Sequence, residues 1–250
     1  AHLILLPWLL GWTFDPNVSF VFSVLLQWGT LLAVTLYFWR DLWRVARAVV
    51  AGLIQRKPFE AEEARLGWLL VLATIPASVV GLLLKDFVET LHHSPVIVSA
   101  ILLGTAALLF LSEYLGHRTR TISTLTWLDA LLIGCAQSIA LLPGVSRSAA
   151  TISGGLLMGL KRPSAARFSF LMSIPVLFAA GVLALRDLFA VPNFSAHLPP
   201  LLLGSVASAV VGYLCIRWLL NFLARQPMHV FGWYRIVVGV IFLAVALLRG

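Results

Sequence analysis

Apolar residues dominate this chain in long runs, and most charged positions fall between the runs rather than inside them. Runs near 19–39, 67–84, 95–115, 168–185, 199–223 and 230–248 each reach the length at which a helix crosses a hydrocarbon layer of about 30 Å. A backbone in lipid must satisfy its own N–H and C=O groups, so six such runs predict an all-α, polytopic membrane protein with six full transmembrane helices. Tryptophans at 12, 39, 43, 68, 127 and 233 stand at or near run ends, where amphipathic rings settle at headgroup level.

Two apolar stretches depart from this pattern. Positions 127–142 are followed by Pro143-Gly144-Val145-Ser146-Arg147-Ser148 and then by a shorter apolar piece at 151–160. As helices these pieces would measure about 24 Å and about 15 Å, too short to span. A half-helix, a Pro-Gly break and a second half-helix predict a re-entrant hairpin, tolerated in a membrane only where protein covers its irregular backbone or a wet cavity adjoins it. Loop charge agrees. With the hairpin returning to its own side, basic residues 40, 44, 47, 56, 57, 65, 118, 120, 161, 162, 167 and 225 share the cytoplasmic side, and Lys85, Arg186 and Arg249 face out.

Composition excludes a soluble fold. Of 250 residues, 60% are hydrophobic and only 11% charged, too few charges to cover a water-facing surface. The chain reads as one integral-membrane domain, 1–250. The net charge of +8 is scattered between apolar runs, which fits topology and lipid headgroups rather than nucleic acid. Cys135 and Cys215 lie within apolar stretches and are expected to pack there. The start at Ala1 reads as a cut.

The sequence also repeats itself. A slide of 146 residues lays 22–42 on 168–188 with eight of 21 positions identical, ending in the shared Arg40-Asp41-Leu42 and Arg186-Asp187-Leu188. Loop charge puts Arg40 inside and Arg186 outside, so the expected repeats, about 1–115 and about 127–250, have inverted topology, as in many transporter folds. At this offset His2 falls on Ser148, and the first hairpin is expected to be incomplete.

Arg147 is the principal chemical clue, because an ionisable group at an intramembrane helix break marks a functional site. Ser146, Ser148 and Thr151 supply hydroxyls, and Gly144 permits close backbone approach. A half-helix starting near Ala149 would turn its unpaired N–H groups toward the same place. A planar guanidinium with hydroxyls and amides suits phosphate. The serines also read as plain helix caps.

Gly134-Cys135-Ala136-Gln137-Ser138 and 142–155, LPGVSRSAATISGG, closely resemble the PGxSRSxxT motif of bacterial undecaprenyl-diphosphate phosphatases of the bacitracin-resistance type. The resemblance extends through Phe168-Ser169-Phe170-Leu171, Pro175, the Gln27 run ending in Phe38-Trp39-Arg40, Ile75-Pro76 and Tyr234-Arg235, and so covers nearly the whole chain. It implies a multi-pass protein of the bacterial inner membrane, with a pocket on the outer side. There it would hydrolyse undecaprenyl diphosphate and return the lipid carrier to cell-wall synthesis. The family's glutamate-containing motif, EGxTEFLPVSSTxH, ends at a histidine that Ala1-His2-Leu3-Ile4 matches, whereas its two glutamates do not occur in these residues. His2, Arg147 and Ser146 are thereby expected to be catalytic, His2 as nucleophile or as general acid/base. Gly144, Ser148, Thr151 and Gln27 are expected to bind substrate. A divalent cation, Mg or Ca, is implied without ligands in this chain, and little activity is expected of these 250 residues by themselves. A polyprenyl diphosphate lipid is the expected partner, and a homodimer is consistent with the resemblance.

Other readings stand beside these. Gln27 also suits helix-to-helix hydrogen bonding. Arg217 and Arg235 suit snorkelling. Glu60, Glu62 and Glu63 suit a solvated loop, and His92, His93, His117, His197 and His229 suit the interface. Inverted repeats with broken helices also fit a transporter or flippase for a phosphorylated lipid. The second class of membrane phosphatase carries a histidine six residues after its Ser-Arg pair, where this chain has Ser153.

Overall fold

Among the described residues, ten α-helices follow one another: α1 (His2–Leu10), α2 (Pro16–Tyr37), α3 (Trp39–Ile54), α4 (Glu62–Leu83), α5 (Pro95–Leu115), α6 (Trp127–Ile139), α7 (Arg147–Leu157), α8 (Arg162–Leu188), α9 (Phe194–Leu223) and α10 (His229–Arg249). The computed structural model describes the backbone of residues 2–12, 16–84, 87, 91, 94–188 and 194–249, and the side chains of the same residues apart from 3, 16–25, 183–188 and 194–198. Lys85, His92 and His93, and the side chains of Arg186, Asp187 and His197, lie outside the described residues.

Five helices are long and apolar enough to cross a membrane: α4, α5, α8, α9 and α10. The sixth expected span falls on α2, which is 22 residues long. Their outward faces stay apolar: Leu203 is 72% exposed and Leu248 86%. Such surface is stable only against lipid, which makes this a polytopic membrane protein. Cys135 and Cys215 are free thiols on this exposed surface rather than packed within it, a correction to the expectation from hydropathy alone. A run that is apolar all round does not say which side faces in.

Helices α6 and α7 are 13 and 11 residues long, and they form the expected hairpin. Its ends are tied to each other. The Arg120 N–H donates to the Gly159 carbonyl (2.9 Å), and the Lys161 N–H donates to the Arg120 carbonyl (2.8 Å), so the chain returns to where it entered. Arg120 also clamps the first turn of α6 through Asp129, at 3.1 and 2.6 Å. Thr126 and Asp129 complete a reciprocal capping box there. Helix starts lie 145 residues apart for α1 and α7 (His2 and Arg147) and 146 apart for α2 and α8 (Pro16 and Arg162).

The chain divides into two compact units, each drawing on both expected repeats. The first comprises Ala1–Thr13, Leu69–Ser169 and Leu223–Gly250, and the second Phe14–Trp68 and Phe170–Phe222. In the second, Gly29 of α2 meets the Ser205 backbone of α9, where no Cβ would fit. Thr30 and Ser208 share a hydrogen bond of 3.0 Å across the same contact. Small residues let these two helices approach, as membrane helices commonly do. In the first unit, α5 is the central post, in contact with α1, α7 and α10.

Glu113 anchors that post at its C-terminal end. Its buried carboxylate accepts from Arg162 Nε (2.8 Å) and Nη2 (2.7 Å), Arg118 Nη1 (2.7 Å) and the Met228 N–H (2.8 Å). One side chain thus ties α5 to the starts of α8 and α10. A buried carboxylate needs this full set of donors to offset its desolvation.

Candidate functional site

The hairpin turns at Gly144, whose φ of +103° is open to glycine and strained for other residues. A Cβ there would stand 2.6 Å from the Val98 carbonyl of α5. The tip is thus pressed against α5 by the absence of a side chain. Ser146 then caps α7, accepting from the Ala149 N–H at 3.4 Å, and Arg147 is the first helical residue, two positions earlier than expected. Helix geometry leaves the Arg147 and Ser148 amides without intrahelical partners.

Side-chain chemistry gathers at this end. The Ser146 and Ser148 hydroxyls are 3.2 Å apart, and since one donates to the other, one proton of the pair stays available to a ligand. Thr151 is different. Its hydroxyl donates to the Arg147 carbonyl (2.8 Å) and accepts from Ser169 (2.6 Å), which commits its only proton within the protein. As placed, Thr151 holds the α7–α8 junction rather than offering a donor to an anion. Arg147 Nη1 is sealed from solvent with no hydrogen-bond partner, as are both amide atoms of Gln137 on α6. Among the described residues no carboxylate pairs with Arg147, whereas Arg44, Lys57, Arg118, Arg120 and Arg162 each have one. A guanidinium held this way is a candidate anion-binding group.

Helix α5 also serves as a depth scale. Helix α7 runs alongside it in the same direction: the Ser153 and Ser112 hydroxyls are 3.0 Å apart, and a Cβ on Gly116 would stand 2.7 Å from the Leu156 carbonyl. Counting back from Ser153 puts Arg147 level with about Ala106, midway along α5. Helix α10 runs the opposite way: Gly232 meets the Phe110 ring and Gly239 meets Leu103. Tyr234 and Arg235 therefore lie at about the same depth as Arg147.

Helix α1 brings His2 to this level. Leu5 packs with Val98 and Phe242, and Arg249 Nη1 donates to the Leu9 carbonyl (3.1 Å). At the other end, His2 Nε2 and Tyr234 Oη are 2.7 Å apart, with the two rings stacked. Arg235 is near enough for its charge to act on the imidazole. Val98 thus touches both the hairpin tip and α1, and the starts of both half-helices, His2 and Arg147, open at mid-helix depth.

Gln27 stands exposed on α2, in the second unit. Arg217 is exposed on α9. Glu60 pairs with Lys57 (2.9 Å) in an exposed loop, and His229 stacks on Phe110. Sequence reasoning passed over Tyr234, Arg235 and Gln137 as site residues. The available signal was polarity within otherwise apolar helices, and Tyr234-Arg235 lies only five residues from the start of α10, where snorkelling was an adequate account. For the divalent cation, no group of three His, Cys, Asp or Glu side chains converges among the described residues, so they do not form a fitting site for it.

Apolar helices around a broken, re-entrant pair, with an uncompensated guanidinium at the break, define a polytopic membrane protein built around an interior polar site. The family model described as bacitracin resistance protein BacA matches residues 1–241, and the chain belongs to that family. It is 44% identical to a protein named undecaprenyl-diphosphatase from Chlorobium phaeovibrioides, over 97% of this chain and 88% of that one. Proteins of the same name from Chloroherpeton thalassium and Thermomicrobium roseum are 42% and 40% identical, each over 98% of this chain and covered to 88% and 90%.

Proposed function

We propose that this chain hydrolyses undecaprenyl diphosphate to undecaprenyl phosphate and inorganic phosphate, at the open end of α7. The observation that carries the reading is Arg147: a guanidinium with a sealed, unbonded Nη1 and no carboxylate partner among the described residues, at the start of a buried half-helix, in a chain 44% identical to a protein named for this activity. That name favours hydrolysis over movement of the lipid between leaflets.

In the proposed reaction, a water oxygen forms a bond to the terminal phosphorus while the anhydride P–O bond breaks, and undecaprenyl phosphate leaves with the bonding pair. Phosphoryl transfer needs little covalent help and much charge stabilisation. Arg147 and the Arg147 and Ser148 amides would hold the terminal phosphoryl oxygens, with the free proton of the Ser146–Ser148 pair on another. His2 would take the proton released by the attacking water, held in orientation by Tyr234.

The closed end of the hairpin carries Arg118, Arg120, Lys161 and Arg162, which by the positive-inside bias belongs at the cytoplasmic face. Its tip then points toward the outer leaflet, which supports a pocket on the outer side of a bacterial plasma membrane. The test is phosphate release from a prenyl diphosphate by the purified protein in detergent, with Arg147→Ala as the control. Release that does not depend on Arg147, or lipid movement without release, would overturn the reading.

A further inference from the structure

Helix α3 has no role so far, and its three sides differ in character. One side packs within the protein. Val45 and Val49 lie against Gly67 of α4, where an added Cβ would stand 3.0 Å from Val45 and 2.6 Å from Val49, and Gly52 is buried against Lys57 and Pro58. A second side carries Trp39, Trp43, Val50 and Ile54, each more than half exposed, with the two indoles stacked. The third carries Arg40, Arg44 and Arg47, all exposed, at the four- and three-residue spacing that sets side chains in one row along a helix. Arg44 pairs with Asp41, whereas among the described residues no carboxylate pairs with Arg40 or Arg47.

Gly67 fixes the level of this surface. It lies just beyond the charged start of α4, Glu62-Glu63-Ala64-Arg65, where that helix turns apolar and enters the hydrocarbon layer. Contact with Val45 and Val49 therefore brings the middle of α3, with its arginine row, to the membrane boundary. Loop charge puts that boundary on the cytoplasmic side. Water would leave the indoles and aliphatic side chains uncovered, and hydrocarbon would strip the arginines of hydration. The headgroup layer suits both sides of the helix at once.

We propose that α3 carries a binding site for an anionic phospholipid of the cytoplasmic leaflet. Arg40 and Arg47 hold the headgroup phosphate, and the acyl chains lie along Trp39 and Trp43. A zwitterionic lipid fits less well, because its own ammonium already offsets the phosphate charge. The proposal does not rest on the hydrolase reading.

The test uses the full chain reconstituted in phosphatidylcholine vesicles with a minor fraction of phosphatidylglycerol, and reads tryptophan quenching when one lipid or the other carries bromine on its acyl chains. Subtracting the signal of protein with Trp39→Phe and Trp43→Phe isolates these two indoles. Their quenching is expected to give an association constant for phosphatidylglycerol at least about fivefold above that for phosphatidylcholine, the effect of one surface cation on an anionic lipid. Arg40→Gln with Arg47→Gln should bring that ratio to within about twofold of unity, whereas Arg40→Lys with Arg47→Lys should keep most of it, since charge carries the contact. Should the Gln variant not fold, raised salt supplies a second reading on wild-type protein, where it should shrink the preference by screening. Equal quenching by both lipids in wild-type protein, a preference that survives the Gln variant, or one that raised salt leaves unchanged would each overturn the proposal. Absence of quenching by either lipid at Trp39 and Trp43, as when a second copy of the chain covers this face, would overturn it too.

Discussion

The backbone of Arg120 is bonded to Gly159 and Lys161, so the segment holding both half-helices begins and ends at one point. That closure predicts a labelling pattern. Single cysteines at His117 and Lys161, both exposed, should react with a membrane-impermeant thiol reagent from the same side, in a background lacking Cys135 and Cys215. Labelling from opposite sides would mean that 127–160 crosses the membrane.

Glu113 is expected to matter for stability and not for chemistry. Glu113→Ala leaves the Arg162 fork and the Met228 N–H buried without their acceptor, at a cost of about 3–5 kcal/mol. Arg118→Ala removes one contact from the more exposed partner and should cost about 1 kcal/mol or less. Thermal unfolding in detergent should rank the two in that order.

Gly144→Ala should push the hairpin tip away from α5, because the new Cβ would stand 2.6 Å from the Val98 carbonyl on a backbone with positive φ. Strain of this kind costs about 1–3 kcal/mol. Phosphate release should fall at least about tenfold, since displacing the start of α7 moves every group on it. Near-normal turnover would show that the tip tolerates movement.

Arg147 and Thr151 should separate by readout. Arg147→Ala is expected to lower turnover at least about a hundredfold, with partial recovery in Arg147→Lys, which keeps the charge and loses the two-oxygen fork. Thr151→Val removes the acceptor of Ser169 and the donor to the Arg147 carbonyl, so its first effect should be on the melting temperature, by about 1–3 kcal/mol of lost stability. A Thr151→Val protein of unchanged stability and greatly reduced turnover would return Thr151 to the substrate.

Gln137 offers a sealed amide with neither end satisfied. Gln137→Met keeps the shape and removes both polar ends, which should leave stability unchanged or raised. Loss of stability in that variant would reveal a partner for the amide inside the protein.

Much of this protein was legible from hydropathy and spacing. Run length decided the membrane class, because a lipid-exposed backbone has few alternatives to a helix. The shortness of 127–142 and 151–160 around Pro143-Gly144 decided the hairpin, and Arg147 within the break marked a candidate site before any coordinates. Other properties had no local signature. Cys135 and Cys215 sit in runs apolar on every side, so only packing decided that they face outward. Thr151 reads as one more hydroxyl near an anion site until Ser169, on the next helix, is seen to claim it. Arg235 is far from Arg147 in sequence, and its depth follows from glycine contacts between α10 and α5. Sequence by itself determined which segments enter the membrane and where a charge is held there, since both follow from the cost of polar groups in lipid. Only tertiary structure decided which of those charges find partners, because pairing depends on helices brought to a common depth by close contacts far apart in the chain.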